Sequence, residues 1–347
     1  MKKNAITIIA ASVMIAALIF SKEITEAILE NAEFAFLKVV PSLFFFMVLS
    51  KILRAVGVFD LFYPILKPLT HLLHLSKREA SCFFIGNLCG FPCGAMLCSD
   101  EVCSEGLSTD RALSLAVISN NVSAPFMISF VGASLLGSSS IGVVLYAVQL
   151  TSALAIGAIT RIKLTEDHNE RKIPKIRTAF ADFFCSSVTE SAVSCISVTA
   201  FITLFGTVNS LVSFFSENVG APQALTTSFK GLIEISECCR SSSGLNMTVA
   251  CALISFAAGF SGLCVICQSA PHLVKAGISV PKYVFLKLIQ GLIASALSFP
   301  VFSVLDFSVN ASTKTEVSSP REYLVVSAAV CFLFIALTLK RLISNKS

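Results

Sequence analysis

The chain has 347 residues, of which 55% are apolar and only 14% charged, with a formal net charge of +5. Mean hydropathy is strongly positive, and the charges gather in short clusters between apolar runs. This excludes an ordinary soluble domain and defines a polytopic membrane protein whose first partner is the lipid bilayer. The surplus positive charge falls in loops, where it reads as membrane topology. No nucleic-acid partner is expected from it.

In chain order, Lys2 and Lys3 precede an apolar run from Ala5 to Phe20. Phe20-Ser21-Lys22 offers no small-residue cleavage site, so an uncleaved first helix is expected. With about 20 residues per crossing, the chain reads as all-α with about eight transmembrane helices. They are Ala5–Phe20, Phe34–Leu53, Ala112–Leu135, Ile141–Arg161, Phe183–Phe205, Met247–Cys267, Tyr283–Leu305 and Tyr323–Lys340. Two further apolar stretches are interrupted where a membrane helix should not be. The first, Cys82–Cys98, contains Gly86, Asn87, Gly90, Phe91, Pro92 and Gly94. The second, Ala224–Gly244, carries Lys230, Glu234, Glu237 and Arg240.

Loop charge orients these segments. Lys51, Arg54, Lys67, Lys77 and Arg78 form one basic loop; Arg161, Lys163, Arg171, Lys172, Lys175 and Arg177 form another. With Lys275, Lys282 and the basic residues at both ends, all are assigned to the cytoplasm by the positive-inside rule. Both termini then lie inside, while Glu23–Glu33, the region of Glu217 and the loop Asp306–Glu322 lie outside. Three apolar segments separate Lys77 and Arg78 from Arg161, and three crossings do not return to the same side. The first interrupted stretch is therefore expected to be a re-entrant hairpin from the cytoplasmic face, and the second its counterpart from the opposite face. The expected organisation is an N-terminal helix (1–33), a first repeat (34–161), a basic loop (162–182), an inverted second repeat (183–305) and a C-terminal helix (306–347).

Most of the 13 cysteines lie inside apolar segments, where a thiol behaves as a small hydrophobe. Cys264-Val-Ile-Cys267 lacks a second pair, so packing is preferred over a metal site or disulfide. No cofactor is implied. His71 and His74 read as residues of a basic loop.

Candidate binding residues cluster at the interruptions, as in transporters whose broken helices meet near the bilayer midplane. They are Asn87, Phe91 and Pro92 in the first hairpin, and Asn120, Asn121 and Ser123 in the next span. Glu234 belongs to the second hairpin, and Ser261 and Gln268 to the span after it. Gly86, Gly90, Gly94, Pro125, Gly231, Gly259 and Gly262 are the hairpin and kink positions. Small residues also promote close helix approach, so a packing role for the glycines is the competing reading. An intramembrane carboxylate is costly and marks a functional hypothesis, so Glu234 is singled out, with Lys230 or Arg240 as expected partners. Glu190 is the second such carboxylate.

Four segments together resemble a known family. Gly86-Asn-Leu-Cys-Gly-Phe-Pro-Cys-Gly-Ala95, Asn120-Asn-Val-Ser-Ala-Pro-Phe126, Gly231-Leu-Ile-Glu-Ile235 and Gly259-Phe-Ser-Gly-Leu-Cys-Val-Ile-Cys-Gln268 occur in order between Pro41 and Pro300. The chain resembles the sporulation integral membrane proteins of the YlbJ type, built from two nucleoside-recognition (Gate) domains. Cys89, Ala124, Ser261 and Cys264 depart from the Ser or Gly usual in that family, and Cys238-Cys239-Arg240 departs from a Gly-containing turn. The resemblance implies a multi-pass protein of the cell membrane with a role in spore formation.

Two function classes follow. One is a secondary transporter of a small polar solute, nucleoside-like by resemblance; the other is a non-transporting scaffold that assembles spore membrane partners. A homo-oligomer is compatible with either. Catalysis is not expected, since no nucleophile–base or metal constellation is spaced for it.

Overall fold

The computed structural model describes residues 17–56, 73–161, 180–242 and 244–304, with isolated positions before 17 and between 66 and 71. The last expected crossing, half of the first, His71 and most of the basic loop 162–182 lie outside the described residues. All regular structure among the described residues is helical.

Helix α1 (Ser21–Phe34) passes through a π-helical turn, Ala35–Val39, into α2 (Val40–Val56). Next come α3 (Lys77–Cys89), α4 (Cys93–Glu105), α5 (Thr109–Ser119), a π-helix at Phe126–Leu135, and α6 (Ser139–Arg161). The remaining helices are α7 (Phe180–Val219), α8 (Gln223–Ile233), α9 (Ile235–Ser242), α10 (Met247–Phe260), α11 (Gly262–Lys275) and α12 (Val280–Val304). One succession of elements thus occurs twice: a long helix, two short helices joined at a break, a broken helix, and a second long helix.

Local chemistry sets these boundaries. A reciprocal capping box starts α3: Ser76 Oγ accepts from Glu79 N–H, and Glu79 Oε2 accepts from Ser76 N–H at 2.7 Å. The same carboxylate receives Arg111 Nη2 at 2.7 Å, fastening the start of α5 to that of α3. Helices α3 and α4 run antiparallel about Gly90-Phe91-Pro92, with Cys82 opposite Glu101. Helices α8 and α9 fold back in the same way, Lys230 Nζ reaching Ser241 Oγ at 2.8 Å. The expected crossing Ala112–Leu135 is divided by non-helical backbone after Asn120, and Pro125, lacking an N–H, opens the π-helix that follows.

Among the described residues, four helical segments are long and apolar enough to cross a membrane: Ser139–Thr160, Ala181–Val219, Met247–Lys275 and Val280–Val304. The bent pair Ser21–Val39 and Leu43–Ile52 adds a fifth when taken as one crossing. Helix α7 outruns the expected Phe183–Phe205: its 40 residues reach about 60 Å at 1.5 Å per residue, twice the hydrocarbon thickness of about 30 Å. Large apolar side chains remain exposed along the outer faces of α7 (Val193, Ile196, Leu204) and α12 (Phe285, Leu292, Phe299). In a chain with these spans, such faces are lipid-facing surface, and the molecule is a membrane protein.

Lipid supplies no hydrophobic drive between helices, so close packing of small residues carries more of the assembly. Gly86 and Gly94 set α3 and α4 directly against the backbone of Ser119 and Asn120. Gly259 on α10 meets Gly291 on α12 in a second backbone-to-backbone contact. These crossings bring the polar breaks to the middle of the bundle.

Candidate functional site

The C-terminal end of α5 is the centre of a buried polar network. Asn120 Nδ2 donates to Ser269 Oγ and to Tyr283 Oη, both at 2.8 Å, while its Oδ1 accepts from Ala95 N–H at 3.2 Å. One side chain thereby joins α4, α5, α11 and α12. Asn121 Nδ2 donates to Ile118 O at 2.7 Å and to Asn87 Oδ1 at 3.0 Å. Asn87 Nδ2 in turn donates to Phe83 O and to Ile118 O. The unwound residues thus return hydrogen bonds to carbonyls that the helix end leaves free.

Asn121 Oδ1 accepts from Lys287 Nζ at 2.9 Å, Gln149 Nε2 at 2.9 Å and Gln290 Nε2 at 2.8 Å. Lys287 is 0% exposed. Its ammonium also donates to Asn120 O at 3.1 Å and to Gln290 Oε1 at 2.8 Å, and it stands 5.9 Å from the centre of the Phe91 ring. Lys287 was not among the residues expected from sequence. It shares a short stretch with Lys282, in the first turn of α12, and sits beside no glycine or proline break. A periodic signal does exist: Tyr283, Lys287, Gln290, Ala294 and Ser298 fall on one buried face of α12.

A cavity of about 80 Å³ lies beside this network, with room for several waters. Its wall takes Cys89, Phe91, Ser123 and Phe126 from the first half of the chain. Glu234, Ser236, Val265 and Gln268 come from the second half. Of the expected binding residues, Phe91, Ser123, Glu234 and Gln268 line the cavity, whereas Asn87, Asn120 and Asn121 are engaged in the network. Phe91 touches both. Pro92 opens α4. Ser261 is buried between α10 and α11, its hydroxyl without a partner.

Glu234 is 3% exposed and occupies the extended break between α8 and α9. Its Oε2 accepts from Glu237 N–H at 2.9 Å and its Oε1 from Ser236 Oγ at 3.1 Å, so the carboxylate caps α9. The expected pairing with Lys230 or Arg240 is not what is found. Lys230 Nζ lies 3.7 Å from Glu237, and Arg240 pairs with Glu237 and, at 3.0 Å, with Glu30. The break at Glu234 turns its side chain to the cavity, while Glu237, one helical turn on, faces the cations. Glu190 also differs from expectation: it is 66% exposed and pairs with Lys51 at 2.7 Å, on the outer surface.

The kink residues have separable roles. Gly90 and Gly262 adopt left-handed backbone, with φ of +82° and +64°. Gly90 packs on Ser123, and Gly262 on the carbonyl of Ile233, bringing the break in α10–α11 beside that in α8–α9. Gly231 packs against Cys238 and Ala257. The twelve described cysteines form no disulfide, and no cluster of three metal-binding side chains occurs among the described residues.

Residues 36–150 match the family model Gate, described as nucleoside recognition. That stretch contains the α3–α4 hairpin, the break at Asn120–Ser123 and the first half of α6. No curated protein and no solved structure matches the chain. The fold is that of a helical membrane protein, and residues 36–150 of it are similar to the Gate model.

Proposed function

We propose that the protein is a secondary transporter of a small polar solute, nucleoside-like in class, acting at the cell membrane during spore formation. The observation that carries this reading is the cavity walled by both halves of the chain, with Glu234 at its edge. A carboxylate, two serine hydroxyls and an amide beside two phenylalanine rings are suited to a solute with hydroxyl groups and a flat apolar face. The Gate match over residues 36–150 supports the same class. In this reading eight crossings and two re-entrant hairpins form an inverted repeat of residues 34–161 and 183–305. Both termini are cytoplasmic, and the halves rock about the shared cavity.

A scaffold role is the second reading. It is favoured by the closure of the asparagine–lysine network on itself, which leaves Asn120 and Asn121 no hydrogen-bonding surface toward the cavity. Its ligands would be a second copy or spore membrane proteins. Uptake by the purified protein in sealed vesicles, screened over labelled nucleosides and other small polar solutes, separates the two. Glu234→Gln keeps the size and removes the charge. Loss of a charged hydrogen bond of about 1.5–3 kcal/mol predicts at least a roughly tenfold fall in uptake with normal insertion. No uptake of any solute by folded wild-type protein favours the scaffold.

A further inference from the structure

Among the described residues, the buried Lys287 amine in the middle of the bundle has no carboxylate partner. Its three hydrogen bonds go to a backbone carbonyl (Asn120 O) and two amide oxygens (Asn121 Oδ1 and Gln290 Oε1), at 2.8 to 3.1 Å. None of these acceptors is charged. Protein sites that strip an ammonium of water normally repay the loss with a carboxylate. Here the compensation is that of an alkali-ion site: neutral oxygens replacing a hydration shell.

The surroundings agree. Asn120 O belongs to the residue that ends α5, where free carbonyls and the helix dipole favour positive charge. Phe91 turns a ring toward the ammonium from the hairpin tip. Gln149 donates to the same Asn121 oxygen, while its own side-chain oxygen is buried without a partner, an uncommitted acceptor in the same network. Oxygens from an unwound helix and its neighbour are the usual make-up of an ion site in carriers with broken helices.

We propose that Asn120 O, Asn121 Oδ1 and Gln290 Oε1 form a monovalent-cation site that the chain fills with its own Lys287 ammonium. In this proposal the three acceptors, one for each N–H, hold the ammonium form, and the tethered group fastens the broken end of α5 to α12. The protein therefore needs no diffusible sodium or potassium ion at this position, and removing the side chain opens the site to one. This holds whether the protein carries a solute or acts as a scaffold.

The test uses the purified full-length protein. The chain has no tryptophan, but buried thiols such as Cys82, Cys239 and Cys264 report unfolding to a thiol-reactive dye. Midpoints are measured in sodium, potassium and choline chloride at equal ionic strength. The wild type is expected to be indifferent to the salt. Lys287→Ala is expected to unfold at lower temperature in choline, and to regain several degrees, saturably, in sodium or potassium. Lys287→Ser, which adds an oxygen at the vacated position, is the second variant and is expected to respond likewise. Folded variants that both ignore the cation overturn the proposal. So does failure of both to fold in every salt, because a diffusible cation would then have restored them.

Discussion

Ser261 combines two penalties in one residue. Its φ of +83° lies in the left-handed region, and its buried hydroxyl has no partner. Glycine takes that backbone without a Cβ clash. Ser261→Gly is expected to stabilise the protein by about 1 kcal/mol, since left-handed backbone costs an ordinary residue about 1–2 kcal/mol. The readout is a higher unfolding midpoint at unchanged expression. A lower midpoint would mean that the hydroxyl has a partner such as an ordered water. The residue scale also shows where sequence reading stops. The breaks announced themselves through Gly, Pro and paired amides, because each removes something a membrane helix needs. Lys287 carried no such local mark; its meaning lies in acceptors on two helices, one of them 166 residues away at Asn121. Glu234 was legible as a buried carboxylate, whereas its neighbours were not. The break rotates it away from Lys230, and periodicity does not specify that turn.

At the scale of elements, the α3–α4 hairpin is held by the absence of side chains. A Cβ at Gly86 would meet the Ser119 carbonyl, and one at Gly94 would meet the backbone of Ser119 and Asn120. Backbone cannot swing aside as a flexible side chain can, so the hairpin would have to move off α5. Gly86→Ala and Gly94→Ala are each expected to destabilise the protein by about 1–3 kcal/mol, the usual cost of overpacking. Gly106→Ala, which meets nothing within 4 Å, is the control for loss of glycine and carries only the strain of its own positive φ. The comparison is made on thermal midpoints, and unchanged midpoints for Gly86→Ala and Gly94→Ala would remove the packing argument. The hairpins and the break near Asn120 were readable from sequence because Gly, Pro and charge interrupt apolar runs there. The extent of α7 was not read from hydropathy, which fades before the helix ends; its stop is marked instead by Gly220, at φ +67°, with Pro222 two residues on.

For the whole molecule, the repeated succession of elements leaves the orientation of the two halves to be tested. Helix α3 has 13 residues, about 20 Å at 1.5 Å per residue, too short for a hydrocarbon core of about 30 Å. Helices α8 and α9 are shorter still. Each pair therefore suits a hairpin that enters and leaves on one face. In the proposed topology Lys77 and Arg78 put the first pair on the cytoplasmic side, by the positive-inside rule. If the halves are inverted, the second pair opens outward. Reporters inserted near residues 77 and 105 are expected to read cytoplasmic, and those near 221 and 245 external, by accessibility to a membrane-impermeant label in intact cells. A split within either pair would convert that hairpin into a crossing. Both pairs on the same side would leave the hairpins intact and make the repeats parallel. Glu234 and Ser123, which line one cavity, would then have to be brought together by an arrangement other than an inverted repeat.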